Sequence, residues 1–389
     1  MRIALVYDYL PAQLGGAERV LPDIIKVFAG TIDLYLAGFV ESEQSRALLN
    51  KIRHIDPQCK ITIHSNISFL KGARLRLLHY RLPNIMQKFR FKEYSHVLCY
   101  TSFLAHTVII PEHAKKIIYF NTPSRVLWNL QHSTSFIKRF IPTVIMEYLR
   151  AKLRRHDFKG VMTADTIITI SESVNRRIQS FYNRKALTVY PAVDTTVLTD
   201  LSPILLNKGY FLHVSRLESY KNIDLLIRTA QNFPEHNFII VGDGPYKQEL
   251  IKLAQKVQKK TSVQREFLGI QAEHVGNIIF TGHIEESSKN ELIAGSIATL
   301  SLNDEDFGLT KIESFVLGTP VVALAEGAAI ELLQDTPGGI LFMESTVDAL
   351  SQALRQAVST KWEREDIKQL AKPFSFDLFA THLRQALNA

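Results

Sequence analysis

The sequence predicts an α/β protein of two doubly wound domains, each a parallel sheet covered by helices on both faces. Its 389 residues are material for two or three domains rather than one. Apolar runs of strand type alternate with helical patterns almost from end to end. Residues 193–209, VDTTVLTDLSPILLNKG, combine a proline, a late glycine and no helical period, and read as a linker between the halves.

The elements follow from short apolar runs rich in β-branched and aromatic residues. In the first half these predict strands at Ile3–Tyr7, Val97–Thr101, Lys116–Phe120, Thr166–Ile170 and Leu187–Tyr190. In the second half they predict Tyr210–Val214, Phe238–Val241, Ile278–Thr281, Ala298–Leu302 and Val321–Leu324. The segment from Phe374 to Ala389 predicts a closing helix whose apolar positions Leu378, Phe379, Leu383 and Leu387 share one face. The expected boundaries are 1–195 for the first domain, 196–373 for the second and 374–389 for that helix. Neither an internal repeat nor a low-complexity tract is visible.

Composition narrows the function classes. Apolar residues are 46% of the chain and charged residues 22%, which excludes global disorder and collagen-like structure. The two cysteines, Cys59 and Cys99, cannot build a disulfide framework or a four-cysteine zinc site, so a reducing cytoplasm fits best. The N-terminus MRIALVYDYLPAQ lacks the apolar core of a secretory signal, and no run approaches the ~18 apolar residues of a spanning helix. The expected place is the cytoplasm, either soluble or peripheral at the inner face of the cell membrane.

The net charge of +8 hides an asymmetry: residues 1–200 carry 28 Lys and Arg against 15 Asp and Glu, a balance of +13, whereas the remainder carries 18 against 23. Two segments, 71–92 and 138–159, each hold seven basic residues. Such stretches suit an anionic membrane surface, where each cation contributes ~1 kcal/mol, or they are solvated helix faces flanking a core stripe. An aromatic RNP strand and a zinc finger are both missing from the sequence, so nucleic acid is not expected as a partner.

Three segments carry chemistry. Leu14-Gly15-Gly16-Ala17-Glu18 follows the first strand and opens a helix; paired glycines there let backbone approach an anion, or simply satisfy the turn. In Val214-Ser215-Arg216-Leu217-Glu218-Ser219-Tyr220-Lys221-Asn222, Arg216 and Lys221 can converge on phosphate oxygens from a strand end and a helix start. The third, Asn303-Asp304-Glu305-Asp306-Phe307-Gly308-Leu309-Thr310-Lys311-Ile312-Glu313, sets Glu305 in a loop before a helix and Glu313 inside it. Ionised carboxylates accept hydrogen bonds from adjacent sugar hydroxyls, and the helix start offers free N–H groups to an anion. Its Asp-x-Asp could hold a divalent ion or cap the helix; a clamp of Arg216 and Lys221 makes the metal redundant.

Taken together, GGAERV, VSRLESYKN, IIVGDGP, IIFTGHI and EDFGLTKIESFVLGTPVVA, in this order and spacing, resemble glycosyltransferase family 4. In the first half, TSFLAH, YFNTPSRVLW and ITISESVNRRIQSFYNRKALTVYPAVD resemble a bacterial subgroup rich in mannosyltransferases of surface polysaccharides. The resemblance implies the GT-B fold: two facing Rossmann-like domains with a cleft between them and a C-terminal helix crossing back onto the first. It also implies retaining transfer of a hexose from a nucleotide diphosphate sugar, without bound metal or resident cofactor. GDP-mannose is the favoured donor and a polysaccharide or lipid-linked glycan the acceptor. A UDP-hexose donor is the alternative within enzymes; a non-catalytic nucleotide-sugar-binding subunit is the alternative outside them.

Carried over by motif, Gly15 and Gly16 would bring backbone N–H groups to the diphosphate, and Arg216 and Lys221 would neutralise it as it leaves. Glu305 would hold hydroxyls of the transferred sugar, Phe307, Gly308, Leu309 and Thr310 would supply amides, and Glu313 would bind the ribose. His283 and Ile284, after Gly282, match a loop that often contacts the base. The subgroup usually reads His-Thr-Pro before an Arg. Here the segment is Asn121-Thr122-Pro123-Ser124-Arg125, so the residue expected near the sugar can hydrogen-bond but cannot take up a proton near neutral pH. Arg125 falls on the acceptor side.

Overall fold

A computed structural model describes residues 1–67, 81–128, 143–195, 209–267 and 269–388. Most of the expected linker, positions 71–80 of the first basic segment and positions 138–142 of the second lie outside the described residues. The chain forms two compact units, Met1–Ala192 with Phe376–Ala389, and Val193–Ser375.

Among the described residues, the first unit has seven strands: β1 (Ile3–Leu10), β2 (Ile32–Phe39), β3 (Ile61–Ile63), β4 (His96–Thr101), β5 (Lys115–Phe120), β6 (Thr166–Thr169) and β7 (Leu187–Thr188). They form one sheet in the order β3-β2-β1-β4-β5-β6-β7, all neighbours parallel. The order reverses between β1 and β4, which makes their carboxyl ends the natural crevice for a ligand. Helices α1 (Gly16–Val27), α2 (Glu43–Ile55), α3 (Leu82–Met86), α4 (Thr143–Met162) and α5 (Glu172–Tyr182) connect the strands. Because both faces are covered, β1 is buried along nearly its whole length.

β2 was not legible as a strand, because Asp33 and Gly38 interrupt its apolar run. Asp33 is buried but satisfied by distant partners: Tyr94 OH donates at 2.6 Å, the Lys60 amide at 2.8 Å and Arg2 at 3.1 Å.

The second unit contains β8 (Tyr210–Val214), β9 (Asn237–Val241), β10 (Val263–Phe267), β11 (Ile270–Val275), β12 (Ile278–Gly282), β13 (Ala298–Ser301), β14 (Val321–Leu324) and β15 (Gly339–Phe342). Its sheet runs β10-β11-β12-β9-β8-β13-β14-β15. The expectation of a purely parallel sheet needs one correction: β10 and β11 form an antiparallel hairpin, and β11 pairs antiparallel with β12. Elsewhere alternation buries both faces. Phe211, Phe238, Ile240 and Phe280 face one core cluster, while Tyr210, Leu212, Ile239, Val241 and Ile279 face the other. The helices are α6 (Ile223–Thr229), α7 (Lys247–Gln258), α8 (Glu286–Gly295), α9 (Leu309–Val316), α10 (Ala328–Leu333), α11 (Val347–Ser359) and α12 (Arg364–Gln369).

The closing helix α13 (Phe376–Asn388) belongs to the first unit. Arg384 donates to the Val27 carbonyl at 3.0 Å, and Lys26 lies 4.2 Å from the centre of the Phe376 ring. Phe379, Leu383 and Leu387 are buried, with Ala380 and Ala386 between them. Leu378, expected on the same face, is exposed, because the 3.6-residue repeat through 379, 383 and 387 turns position 378 outward.

Candidate functional site

In the second unit, the parallel neighbours β8 and β13 bring two of the sequence motifs together at their carboxyl ends. After β8 the chain passes Ser215 and Arg216 into a single 3-10 turn, Ser219–Lys221, and then Asn222 in the left-handed region. The Asn222 side chain donates to the Leu302 carbonyl at 3.0 Å, fastening this turn to the loop after β13. Lys221 and Glu305, 84 residues apart in sequence, consequently meet at 2.7 Å.

Glu305 has a second cation. Lys311, in the first turn of α9, donates to its other oxygen, Oε2, at 2.7 Å and to Ser301 Oγ at 3.3 Å. Ser301 itself donates to Oε2 at 3.2 Å. Burial alone would raise the pKa of this carboxyl, but the charges and hydrogen bonds of Lys221 and Lys311 outweigh it and hold Glu305 well below the usual glutamate range. Two glycines make the arrangement fit. Gly308 caps α9 at φ +79°, and a Cβ there would stand 2.0 Å from Lys311 Nζ and 2.4 Å from Glu305 Oε2. Gly327 lies at φ +59°, where a Cβ would come within 2.4 Å of the Glu305 carbonyl; the next amide, Ala328, donates to that carbonyl at 2.9 Å.

Glu313, in the second turn of α9, is also paired: buried Lys289 of α8 reaches it at 2.8 Å and Glu286 at 2.5 Å. Each glutamate of the motif therefore has a buried ammonium against it. Phe307 is buried and packs on Phe374 with ring centres 5.6 Å apart, anchoring the loop ahead of Gly308, Leu309 and Thr310. The guanidinium of Arg216 is 45% exposed and 4.0 Å from Glu218. His213 on β8 donates from Nδ1 to the Leu300 carbonyl at 2.8 Å, which leaves Nε2 to accept from Ser215 Oγ at 2.8 Å. Burial pushes this imidazole down to about 4, so it is neutral at pH 7. Gly282 ends β12 at φ +71°, His283 follows it exposed, and Ile284 packs on the core.

In the first unit, Asn121 lies beside the loop after β4, where the sheet order reverses. Asp8 at the end of β1 accepts the amides of Ser102, Phe103 and Leu104 at 2.9, 2.8 and 2.6 Å, fixing the loop after β4. Asn121, directly after β5, donates to Ser102 Oγ at 3.0 Å and accepts from Tyr100 at 3.4 Å. Tyr7, Tyr100 and Tyr119 sit in register on β1, β4 and β5 with ring centres 5.5 and 5.3 Å apart. Tyr7 donates to Glu18 Oε1 at 2.6 Å, and Glu18 Oε2 accepts the Gly15 amide at 2.6 Å. The Gly15 N–H, expected to face a diphosphate, is therefore directed at a carboxylate in this structure, while Gly16 opens α1. Arg125 is half-buried.

Lys311, Lys289, Ser301 and His213 were missed in the sequence. A lysine two residues into an otherwise apolar helix start, flanked by Thr310 and Ile312, was the available signal for Lys311. Among the described residues, no group of three or more His, Cys, Asp or Glu is placed to hold a metal ion, and no helix is long and apolar enough to cross a membrane.

Residues 201–373 match the family described as glycosyl transferases group 1. A sulfoquinovosyl transferase of Arabidopsis thaliana is 28% identical over 169 residues, 42% of this chain and 29% of that protein. A GDP-mannose-dependent phosphatidylinositol monomannoside mannosyltransferase of Mycolicibacterium smegmatis is 31% identical over 153 residues, 36% of each chain. The chain spans between 29% and 58% of the length of the first curated relatives it matches. Among solved structures, Anabaena HepE in complex with UDP-glucose superimposes with a TM-score of 0.70 at 17% identity, over 99% of both chains. Residues 201–373 are thus similar to glycosyl transferases group 1, and the chain as a whole has the GT-B fold of these structures.

Proposed function

We propose that the protein transfers a hexose from a nucleotide diphosphate sugar to a glycan or lipid-linked acceptor, with retention of anomeric configuration. The observation that carries this reading is the pair of glutamates around the start of α9, one held by Lys221 and Lys311 and the other by Lys289, at the carboxyl ends of β8 and β13. Fixed carboxylates of this kind accept hydrogen bonds from sugar and ribose hydroxyls. Arg216 and Lys221 supply the charge that stabilises a departing diphosphate, the largest single contribution such a site makes, and they do so with no metal or resident cofactor in the scheme. Gly16, the amides of Phe307 to Thr310, the loop Gly282 to Ile284, and Asn121 with Arg125 keep the donor-side and acceptor-side roles that the resemblance implies.

GDP-mannose is the donor we favour. The Mycolicibacterium relative, described as GDP-mannose-dependent, and an α-1,3/1,6-mannosyltransferase of Candida glabrata, 24% identical over 190 residues, support it. A UDP-hexose is the second reading, since the Anabaena protein of the same fold was crystallised with UDP-glucose. An anionic membrane surface is the proposed setting. The exposed side of α4 carries Tyr148, Lys152, Arg155, Phe158, Lys159 and Met162 together with Glu147, which is paired to Arg150, whereas Asp157 of the same helix is buried.

The reading is tested by transfer assays on Arg216→Ala and Lys221→Ala. Each variant is expected to stay folded by circular dichroism and to lose ~10²–10³ in turnover, the loss typical of removing one donor to a developing anion. Folded variants that turn over at the parent rate would exclude the clamp.

A further inference from the structure

We propose that Lys311 is a positioning residue for the donor sugar: it keeps Glu305 ionised and aimed when Lys221 turns to the diphosphate. The inference rests on the sugar-nucleotide reading of this site.

One carboxylate here carries two ammonium groups, one on each oxygen, and the two lysines differ in placement. Lys311 is 2% exposed and tied to both Glu305 Oε2 and Ser301 Oγ. Lys221 is 15% exposed, lies on a one-turn 3-10 segment and contacts Oε1. A diphosphate would compete for Lys221, since phosphate oxygens bind an ammonium as well as a carboxylate does. Once Lys221 is drawn away, Glu305 would face an added anion, and apart from Lys311 its described neighbours supply a hydrogen bond from Ser301 but no positive charge. His213 behind it is neutral, Ser301 is uncharged, and Asp304 and Glu326 on the adjoining loops are acidic. Without a second cation, burial would push a proton onto the carboxyl and convert it from acceptor to donor.

Lys311 supplies that second cation from the buried side. Holding Oε2 alone, it leaves Oε1 open to a sugar hydroxyl. The backbone leaves room for this pair, because a Cβ at position 308 would crowd Lys311 Nζ and Glu305 Oε2 and would have to be held at φ +79°. A lysine serving only as a tie for the α9 start would not need to be matched to a carboxylate oxygen that the ligand leaves in place.

The test is the affinity ratio of a sugar nucleotide to its own nucleotide, measured calorimetrically between pH 5 and 8 with UDP-glucose against UDP and GDP-mannose against GDP. For whichever pair binds the parent, the sugar-nucleotide affinity is expected to stay flat with pH, since its diphosphate diester keeps its charge across this range whereas the terminal phosphate of the free nucleotide titrates at pH ~6; the ratio is therefore compared between variant and parent at the same pH. Lys311→Met should lower sugar-nucleotide affinity at least tenfold at pH 5–6 while changing nucleotide affinity less than twofold. Lys311→Arg should restore most of the loss and the flat profile. A Lys311→Met ratio equal to the parent's at every pH would overturn the inference, as would a parent sugar-nucleotide affinity that itself collapses toward pH 5. The second result needs no variant, so the inference can be overturned even where Lys311→Met does not fold. A parent protein that binds neither pair would overturn the underlying sugar-nucleotide reading instead.

Discussion

Gly308 is the position on which the acidic motif turns. An alanine there would have to adopt φ +79° and would drive its Cβ between two paired charges. Left-handed backbone on a non-glycine residue costs on the order of 1–3 kcal/mol, and displacing the ends of Lys311 and Glu305 weakens their pairing further. Gly308→Ala is therefore expected to be less stable by at least ~1–3 kcal/mol in urea titrations at pH 7, and to have lost part of the parent's sensitivity to acid. The sign follows from Glu305. Its folded-state pKa is depressed, so the pair stabilises fully above the ordinary value of 4.5 and loses that contribution as pH falls from there through the lower folded value. The gap between parent and variant should thus narrow below pH 4.5. A gap that is constant from pH 7 to pH 3 would show that Gly308 acts on backbone alone.

Strands buried on both faces read directly from the chain, because every residue in a run such as Phe238–Val241 is apolar. The strands that stayed hidden were those whose polar residues find partners far away in sequence. Asp33 in β2 is satisfied by Tyr94 and Lys60, and the hairpin strand β10 exposes Gln264, Arg265 and Glu266 at the sheet edge. The same logic applies to the site. Glu305, Glu313, Arg216 and Lys221 sit in spacings that advertise them, whereas Lys289 and Lys311 acquire meaning only when the fold presents a carboxylate to each. The tyrosine ladder of Tyr7, Tyr100 and Tyr119 was hidden for the same reason, since register alone brings those rings together. Helix α4 offers a test at this level. Reversing charge at Lys152, Arg155 and Lys159 together should cut cosedimentation with phosphatidylglycerol vesicles at least tenfold, as should 0.5 M salt applied to the parent, at ~1 kcal/mol per cation. Binding unchanged by both treatments would remove the membrane setting.

The two units divide the charge unequally, +13 in residues 1–200 and −5 in the remainder. Within the acidic second half, the positive groups that matter are few and placed. Lys221, Lys289 and Lys311 each face a glutamate of the motif, and Arg216 stands partly exposed at the strand edge. On the proposed function, this distribution would serve a small, doubly charged, hydroxyl-rich ligand such as a nucleotide diphosphate sugar. The most direct measurement is a thermal-shift titration of the whole chain with GDP, UDP, ADP and their sugar conjugates, on the parent and on Arg216→Ala. A ligand bound to the folded state alone at 100 times its dissociation constant stabilises by ~2.7 kcal/mol, which appears as a rise of a few degrees. The account predicts that rise for one nucleotide family, GDP and GDP-mannose foremost, with most of it lost in Arg216→Ala. No shift with any nucleotide, or an equal shift in parent and variant, would contradict it.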